Sequence, residues 1–184
     1  ALDDKVSEQN FYSYKWNLMN SLIPIDKNSK FYKSREVEMK KSTSEKYEEI
    51  IKVKTKNLDK ICEDLQIDGI EILKIDTQGN EDKILQGSIE LLKLKKIKLI
   101  EIELILGFSY ERSVSFYNIE KILNPLGYKL IAIDHASNIL STPNYGCNLI
   151  YVNSYLFEKI KLLHVKNINI PNVTYKIDKE NPFV

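Results

Sequence analysis

A chain of 184 residues, 43% hydrophobic and 29% charged, has the composition of a globular protein long enough for one sizeable core. Its 27 basic and 26 acidic residues are spread evenly and leave a net charge of +1, so no electrostatic footprint for nucleic acid or an anionic membrane stands out. No apolar run reaches the roughly 18 to 20 residues that span a bilayer, and "ALDDKVSEQ" is not a secretory signal. Cys62 and Cys147 lack any ligand spacing, and the chain reads as cytoplasmic with two reduced core thiols.

In chain order, "ALDD" reads as the end of a strand and its turn. "NFYSYKW" (Asn10 to Trp16) and "IIKVKTK" (Ile50 to Lys56) alternate apolar with polar residues and predict two strands with one wet face. Between them, residues 17–48 show no sustained period and read as a loop-rich insertion, either a solvated connector or a cover for a site. "TKNLDKICEDLQ" spaces Leu58, Ile61, Cys62 and Leu65 as a short amphipathic helix capped by Thr55 or Asn57. "IEILKID" is a compact apolar strand ending at Asp76, and "NEDKILQGSIELLKLKK" is helix with a joint at Gly87. "IKLIEIELIL" is the next strand, and "SFYNIEKILNPLG" is a helix stopped by Pro125 and Gly127. "YKLIAID" and "CNLIYVN" are strands joined by loop, and the tail after residue 153 reads as a short helix followed by extended chain.

Strands alternating with helices of ten to fifteen residues mean βαβ units, so the fold class is α/β with a mostly parallel sheet. The loop between the last two strands makes an antiparallel hairpin at one sheet edge. This predicts one domain over residues 1–153, with residues 154–184 as a C-terminal extension.

In such sheets ligands gather beyond the carboxyl ends of the strands, where backbone donors converge. Asp76 stands at one such end, followed by Gly79 for a tight turn and by Glu81 in the first helical turn, a place that the helix dipole also favours for an acid. "LIEIEL" puts Glu101 and Glu103 on one face of the next strand, where two carboxylates are costly to bury without partners. Glu103, nearer the carboxyl end, is the better site candidate and Glu101 the structural one. His135 follows the "LIAID" strand in a position open to a ligand, whereas His164 reads as surface or packing; Tyr110, Glu111 and Arg112 line the same cleft or form an ordinary turn. No GxSxG elbow, HExxH pair, P-loop or GxGxxG loop is present.

These residues resemble the FkbM-type methyltransferases. The likeness rests on "LKIDTQGNEDKILQGS", where Lys74, Ile75, Asp76, Gln78, Gly79, Glu81, Leu85 and Gly87 fill the family pattern, and on "VKTKNLDKICED", "LIEIEL", "NPLGYKL" and "CNLIYVN" following in order. It covers about Val53 to Asn153, with a weaker likeness in "ALDDKVSEQNFYSY". The resemblance implies a Rossmann-like class I fold and methyl transfer from S-adenosylmethionine to a hydroxyl of a sugar or small metabolite. It implies Asp76 as the catalytic residue and Leu2 and Asp3 toward the adenine, and with Asp76 in that role the candidates read from position, Glu81, Glu103 and His135, fall toward the small-molecule or glycan acceptor. A divalent metal is left open.

The glycine-rich loop and ribose-binding acid of the family have no counterpart in this sequence. By that reading the first strands are missing and the strand ending in Asp76 has an open edge, an aggregation hazard that an upstream segment or a partner would cover. The chain as given is therefore expected to bind S-adenosylmethionine poorly. The alternative is a non-catalytic α/β module that uses the same cleft for binding or assembly.

Overall fold

Alternation in "IKLIEIELI" divides one strand between two environments, and that division organises the molecule. The computed structural model describes residues 1–15, 17–33, 48–105, 107, 109–134 and 146–167, with side chains described as far as residue 162. In it, strand β4 (Ile97–Ile105) turns Ile100, Ile102 and Leu104 to one face, each 1% exposed or less. Leu99, Glu101, Glu103 and Ile105 point the other way, as a two-residue period requires.

Strand β3 (Ile70–Ile75) lies parallel to β4, with Ile72 opposite Leu99 and Lys74 opposite Glu101. Strand β6 (Gly146–Asn153) runs antiparallel on the other side of β4, and β5 (Tyr128–Asp134) pairs antiparallel with β6. The order is β3-β4-β6-β5. The fold is therefore mixed α/β, with three strands of one direction and the expected antiparallel strand one place from the edge. Among the described residues β3 pairs with β4 alone, and Ile72 on β3 is 64% exposed.

The apolar face of the sheet is covered by helices. Helix α1 (Leu58–Asp64) starts at Asn57, whose side chain accepts from the Lys60 amide at 2.8 Å, and it buries Leu58 and Cys62. Helices α2 (Glu81–Gln86) and α3 (Ile89–Lys93) add Ile84, Leu85, Leu91 and Leu92 to the same core. Their joint falls at Gly87, as predicted. A Cβ there would stand 2.4 Å from the Asp3 carbonyl oxygen and 2.9 Å from Asn57 Cβ, so the break lets the N-terminal segment cross the helix at close range. Helix α4 (Phe116–Leu123) begins in a reciprocal cap between Ser115 and Asn118 and buries Ile119 and Leu123. Each such buried side chain contributes about 1.5 to 3 kcal/mol, so this face carries most of the fold's cohesion.

Strands β1 (Ser7–Tyr14) and β2 (Glu48–Thr55) form an antiparallel pair in register from Ser7 with Thr55 to Tyr14 with Glu48. The described part of the irregular insertion, residues 17–33, packs against them. A 3-10 turn at Asn17–Met19 and isolated bridges from Tyr12 to Ser21 and from Ile25 to Tyr110 lead it through a second core of Tyr14, Met19, Ile25, Phe31 and Tyr110. Bridges and single buried side chains leave no periodic trace in a sequence, which is why this stretch reads as loop. Helix α5 (Ser154–Asn167) is longer than the short helix expected there. Among the described residues no helix is long and apolar enough to cross a membrane.

Candidate active site

The carboxyl ends of β3 and β4 bring two acids together. Ile75 pairs with Ile102, so the next residues, Asp76 and Glu103, face each other across the two strands. One row earlier on the same face, Lys74 Nζ donates to Glu101 Oε1 at 2.9 Å. This pairing answers the question of how Glu101 is accommodated: it meets a lysine directly across the sheet, whereas Glu103 meets another acid.

Gln78 bridges that acid pair. Its Nε2 donates to Asp76 Oδ1 at 2.8 Å and to Glu103 Oε2 at 3.0 Å. Its Oε1 accepts from the Tyr110 hydroxyl at 3.1 Å, and the same hydroxyl lies 3.3 Å from the Met19 carbonyl oxygen. Tyr110 comes from the segment after β4 and Met19 from the irregular insertion, so three separate regions of sequence hold one amide.

The turn that carries Gln78 is braced from beneath. Gln78 has φ +57° and Gly79 φ +105°, two successive residues in the left-handed half of backbone space. A Cβ on Gly79 would approach the Arg112 carbonyl oxygen to 2.9 Å, so both space and backbone favour glycine. Glu81 accepts from the Gly79 amide at 2.9 Å and from the Thr77 amide and hydroxyl at 3.3 Å each. Ser21 Oγ lies 3.0 Å from the carbonyl oxygens of both Thr77 and Gln78. Arg112 donates to the Gly79 carbonyl at 2.8 Å and pairs with Asp82.

These contacts shift the ionisation of Glu103, Lys74 and Glu81. Glu103 is pushed up to about 7, chiefly by its hydrogen bond with Asp76, then by burial and the Asp76 charge, while Gln78 and Lys74 pull it back down. Lys74 is raised, first by its hydrogen bond to Glu101. Burial also raises Glu81, against the amide donors that favour its charged form.

The other expected site residues separate. Glu81, expected toward the acceptor, is 2% exposed and engaged in the turn, which is the geometry of a brace. Asp3, expected toward the adenine, is 5% exposed; its two carboxylate oxygens accept from Gln9 and Asn80, and Asn80 also donates to the Leu2 carbonyl at 3.3 Å. His135 lies outside the described residues. Cys62 and Cys147 are free and buried, and burial pushes both thiols up. Among the described residues no three of His, Cys, Asp and Glu converge as a metal-ligand group.

Three contributors escaped the sequence-level site list: Gln78, Ser21 and the bridging role of Tyr110. Gln78 had a signal, since it occupies a position of the family pattern, but a neutral amide between Thr77 and Gly79 reads first as turn filler. Ser21 had none, because it reaches the turn across 56 residues of chain.

The family model described as the methyltransferase FkbM domain matches residues 4–130, more than half of the chain. No curated protein and no solved structure gives a significant match.

Proposed function

The chain belongs to the FkbM-domain methyltransferases, and from that membership and its acidic corner we propose that it transfers a methyl group from S-adenosylmethionine to a hydroxyl oxygen of a sugar or other small metabolite. The observation that carries the reading is the Asp76–Glu103 pair at the carboxyl ends of adjacent parallel strands, bridged by Gln78. Ligands of parallel α/β sheets gather at such ends.

The corner fits a cationic donor. Lys74, the cation on the same face one row away, is already paired with Glu101, so among the described residues the acid pair has no lysine of its own. S-adenosylmethionine supplies an electrophilic methyl group on a positively charged sulfur. Asp76 would stand beside that charge. The contacts expected of Leu2 and Asp3 with the donor draw no support from the arrangement seen, because Asp3 is occupied by Gln9 and Asn80.

For the acceptor, Asp76 is the group that orients the hydroxyl and takes its proton, and Glu103 offers a second hydrogen-bonding site beside it. Assistance of this kind contributes typically 10² to 10⁴ in rate. The braced turn keeps both acids in place and so reduces the cost of aligning the hydroxyl.

Calorimetric titration with S-adenosylmethionine tests the reading, using this chain and, in parallel, the product of the complete coding sequence. Binding by the latter, with donor-dependent methylation of hydroxylated acceptors, is the expected result. Absence of donor binding by both would overturn the enzyme reading.

A further inference from the structure

We propose that Ser21, in the irregular insertion, is a positioning residue of the acidic corner: its hydroxyl sets the left-handed backbone at Gln78 and so keeps the Gln78 amide between Asp76 and Glu103. The proposal rests on the methyl-transfer reading for its use in the reaction; its geometry stands without it.

Ser21 is 2% exposed, and its own backbone is fixed. Its amide donates to the Tyr12 carbonyl at 3.2 Å and its carbonyl accepts from the Tyr12 amide at 2.8 Å, which ties it to β1. Beside it, Asn20 Oδ1 accepts from the Tyr14 amide at 2.7 Å. The Ser21 hydroxyl oxygen accepts from the Ile23 amide at 2.9 Å, so its one hydrogen is left for the turn. There the carbonyl oxygens of Thr77 and Gln78 both lie 3.0 Å away.

Those two carbonyls stand on either side of the Gln78 α-carbon. At φ +57° they come round to one side of the chain, a conformation that a non-glycine residue keeps only where its surroundings over-determine it. One buried donor serving both carbonyls does this from one side. Glu81 does it from the other, by accepting from the amides of Thr77 and Gly79. Glu81 belongs to the helix that the turn leads into, whereas Ser21 reaches in across 56 residues of chain. A second tie from the same segment acts on the far end of the side chain, since the Tyr110 hydroxyl lies 3.3 Å from the Met19 carbonyl oxygen and donates to Gln78 Oε1 at 3.1 Å.

With its backbone so set, Gln78 sends its two amide hydrogens to the two acids, at 2.8 Å to Asp76 and 3.0 Å to Glu103. Each contact favours the ionised carboxylate, and an ionised Asp76 is the form that can take a proton from an acceptor hydroxyl. A Gln78 backbone released from the left-handed region would carry the amide away from both acids at once. The insertion is thereby a working part of the corner, through one hydroxyl group.

The experiment follows the two side-chain amide hydrogens of Gln78 by nitrogen-15 NMR in the chain and in its variants. In the unchanged chain both signals lie away from those of a free glutamine amide and exchange slowly with water. In Ser21→Ala they should move toward the free positions and exchange faster by about twofold to tenfold. Tyr14→Phe is the control, because it removes the hydroxyl that accepts from the Ile25 amide at 3.0 Å and so loosens the same segment without touching the turn; the Gln78 signals should stay in place. Unmoved signals in a folded Ser21→Ala chain, or signals moved as far by Tyr14→Phe, would overturn the proposal. If Ser21→Ala fails to fold, Ser21→Cys, which keeps a weaker donor, decides by the same two criteria with a smaller shift. In the product of the complete coding sequence, Ser21→Ala should lower kcat by about tenfold or more with the KM for S-adenosylmethionine unchanged, and an unaltered kcat would remove Ser21 from the reaction. The NMR measurement needs neither donor nor acceptor, so shifted signals in a chain that binds no S-adenosylmethionine refute the methyl-transfer reading and not the hold of Ser21 on Gln78.

Discussion

Along one face of β4, Ile100, Ile102 and Leu104 are sealed in a core with Ile84, Leu85, Ile119 and Leu123. Along the other, Leu99, Glu101 and Glu103 stand beside Ile72, Lys74 and Asp76 of β3, and the character of the pairs changes row by row, from apolar to ion pair to two acids. The same two strands thus contribute cohesion on one side and chemistry on the other. Apolar burial is non-directional and tolerates any well-packed partner, whereas the polar face depends on which residue the register sets opposite which.

The largest break in this contrast is expected from Asp76→Asn. It should cut methyl transfer by about 10² to 10⁴ with little change in the unfolding midpoint, measured by donor-dependent release of S-adenosylhomocysteine and by urea denaturation. Next comes the sealed face, where Ile102→Ala should lower stability by about 2 to 5 kcal/mol. The matching change on the open face, Ile72→Ala, should stay within about 0.5 kcal/mol in the same denaturation series. A loss at Ile72 comparable to that at Ile102 would mean that the second face is covered as firmly as the first. At the crossing between helix joint and N-terminal segment, Gly87→Ala should cost about 1 to 3 kcal/mol, because the new methyl meets backbone and a side-chain stem that cannot swing away.

The acid pair predicts a pH dependence of definite sign. Glu103 is raised in the folded chain from an ordinary value of 4.5 to about 7, so between those limits the folded state binds more protons than the unfolded one. Its contribution to stability is complete below about 4.5 and is lost as pH rises through about 7. Glu81, raised by burial, acts in the same direction. Glu103→Gln should therefore flatten, without abolishing, the decline in urea midpoint across that window; an unchanged slope would show that Glu103 is not the group titrating there. A small effect is also expected from Lys74→Met or Glu101→Gln, whose half-exposed ion pair is worth no more than about 1 kcal/mol, read from the same curves.

Much of the covered side was legible from periodicity. The helix through Leu58 and Cys62, the joint at Gly87, the stop after Leu123 and the antiparallel final strand all follow from spacing, caps and breakers, which act over a few residues. The site was legible only in part. Asp76 and Glu103 could be placed at strand ends, yet their meeting depends on the β3–β4 register. Glu81 looked from its position like a residue free to face a ligand, and the structure turns it inward to hold Thr77 and Gly79. Segment 17–33 looked like connector, although Ser21 and Met19 take part in holding the acidic corner.

The sequence by itself determined the class of fold, the family and the identity of the acidic corner, because apolar period, capping residues and a short motif are local properties that survive without any partner. Only the tertiary structure decided that Lys74 neutralises Glu101 while Asp76 and Glu103 face each other, and that Gln78 stands between them under Tyr110. Those pairings depend on strand register and on contacts across tens of residues, and the energy of a charged group is set by what folding brings within hydrogen-bonding distance of it.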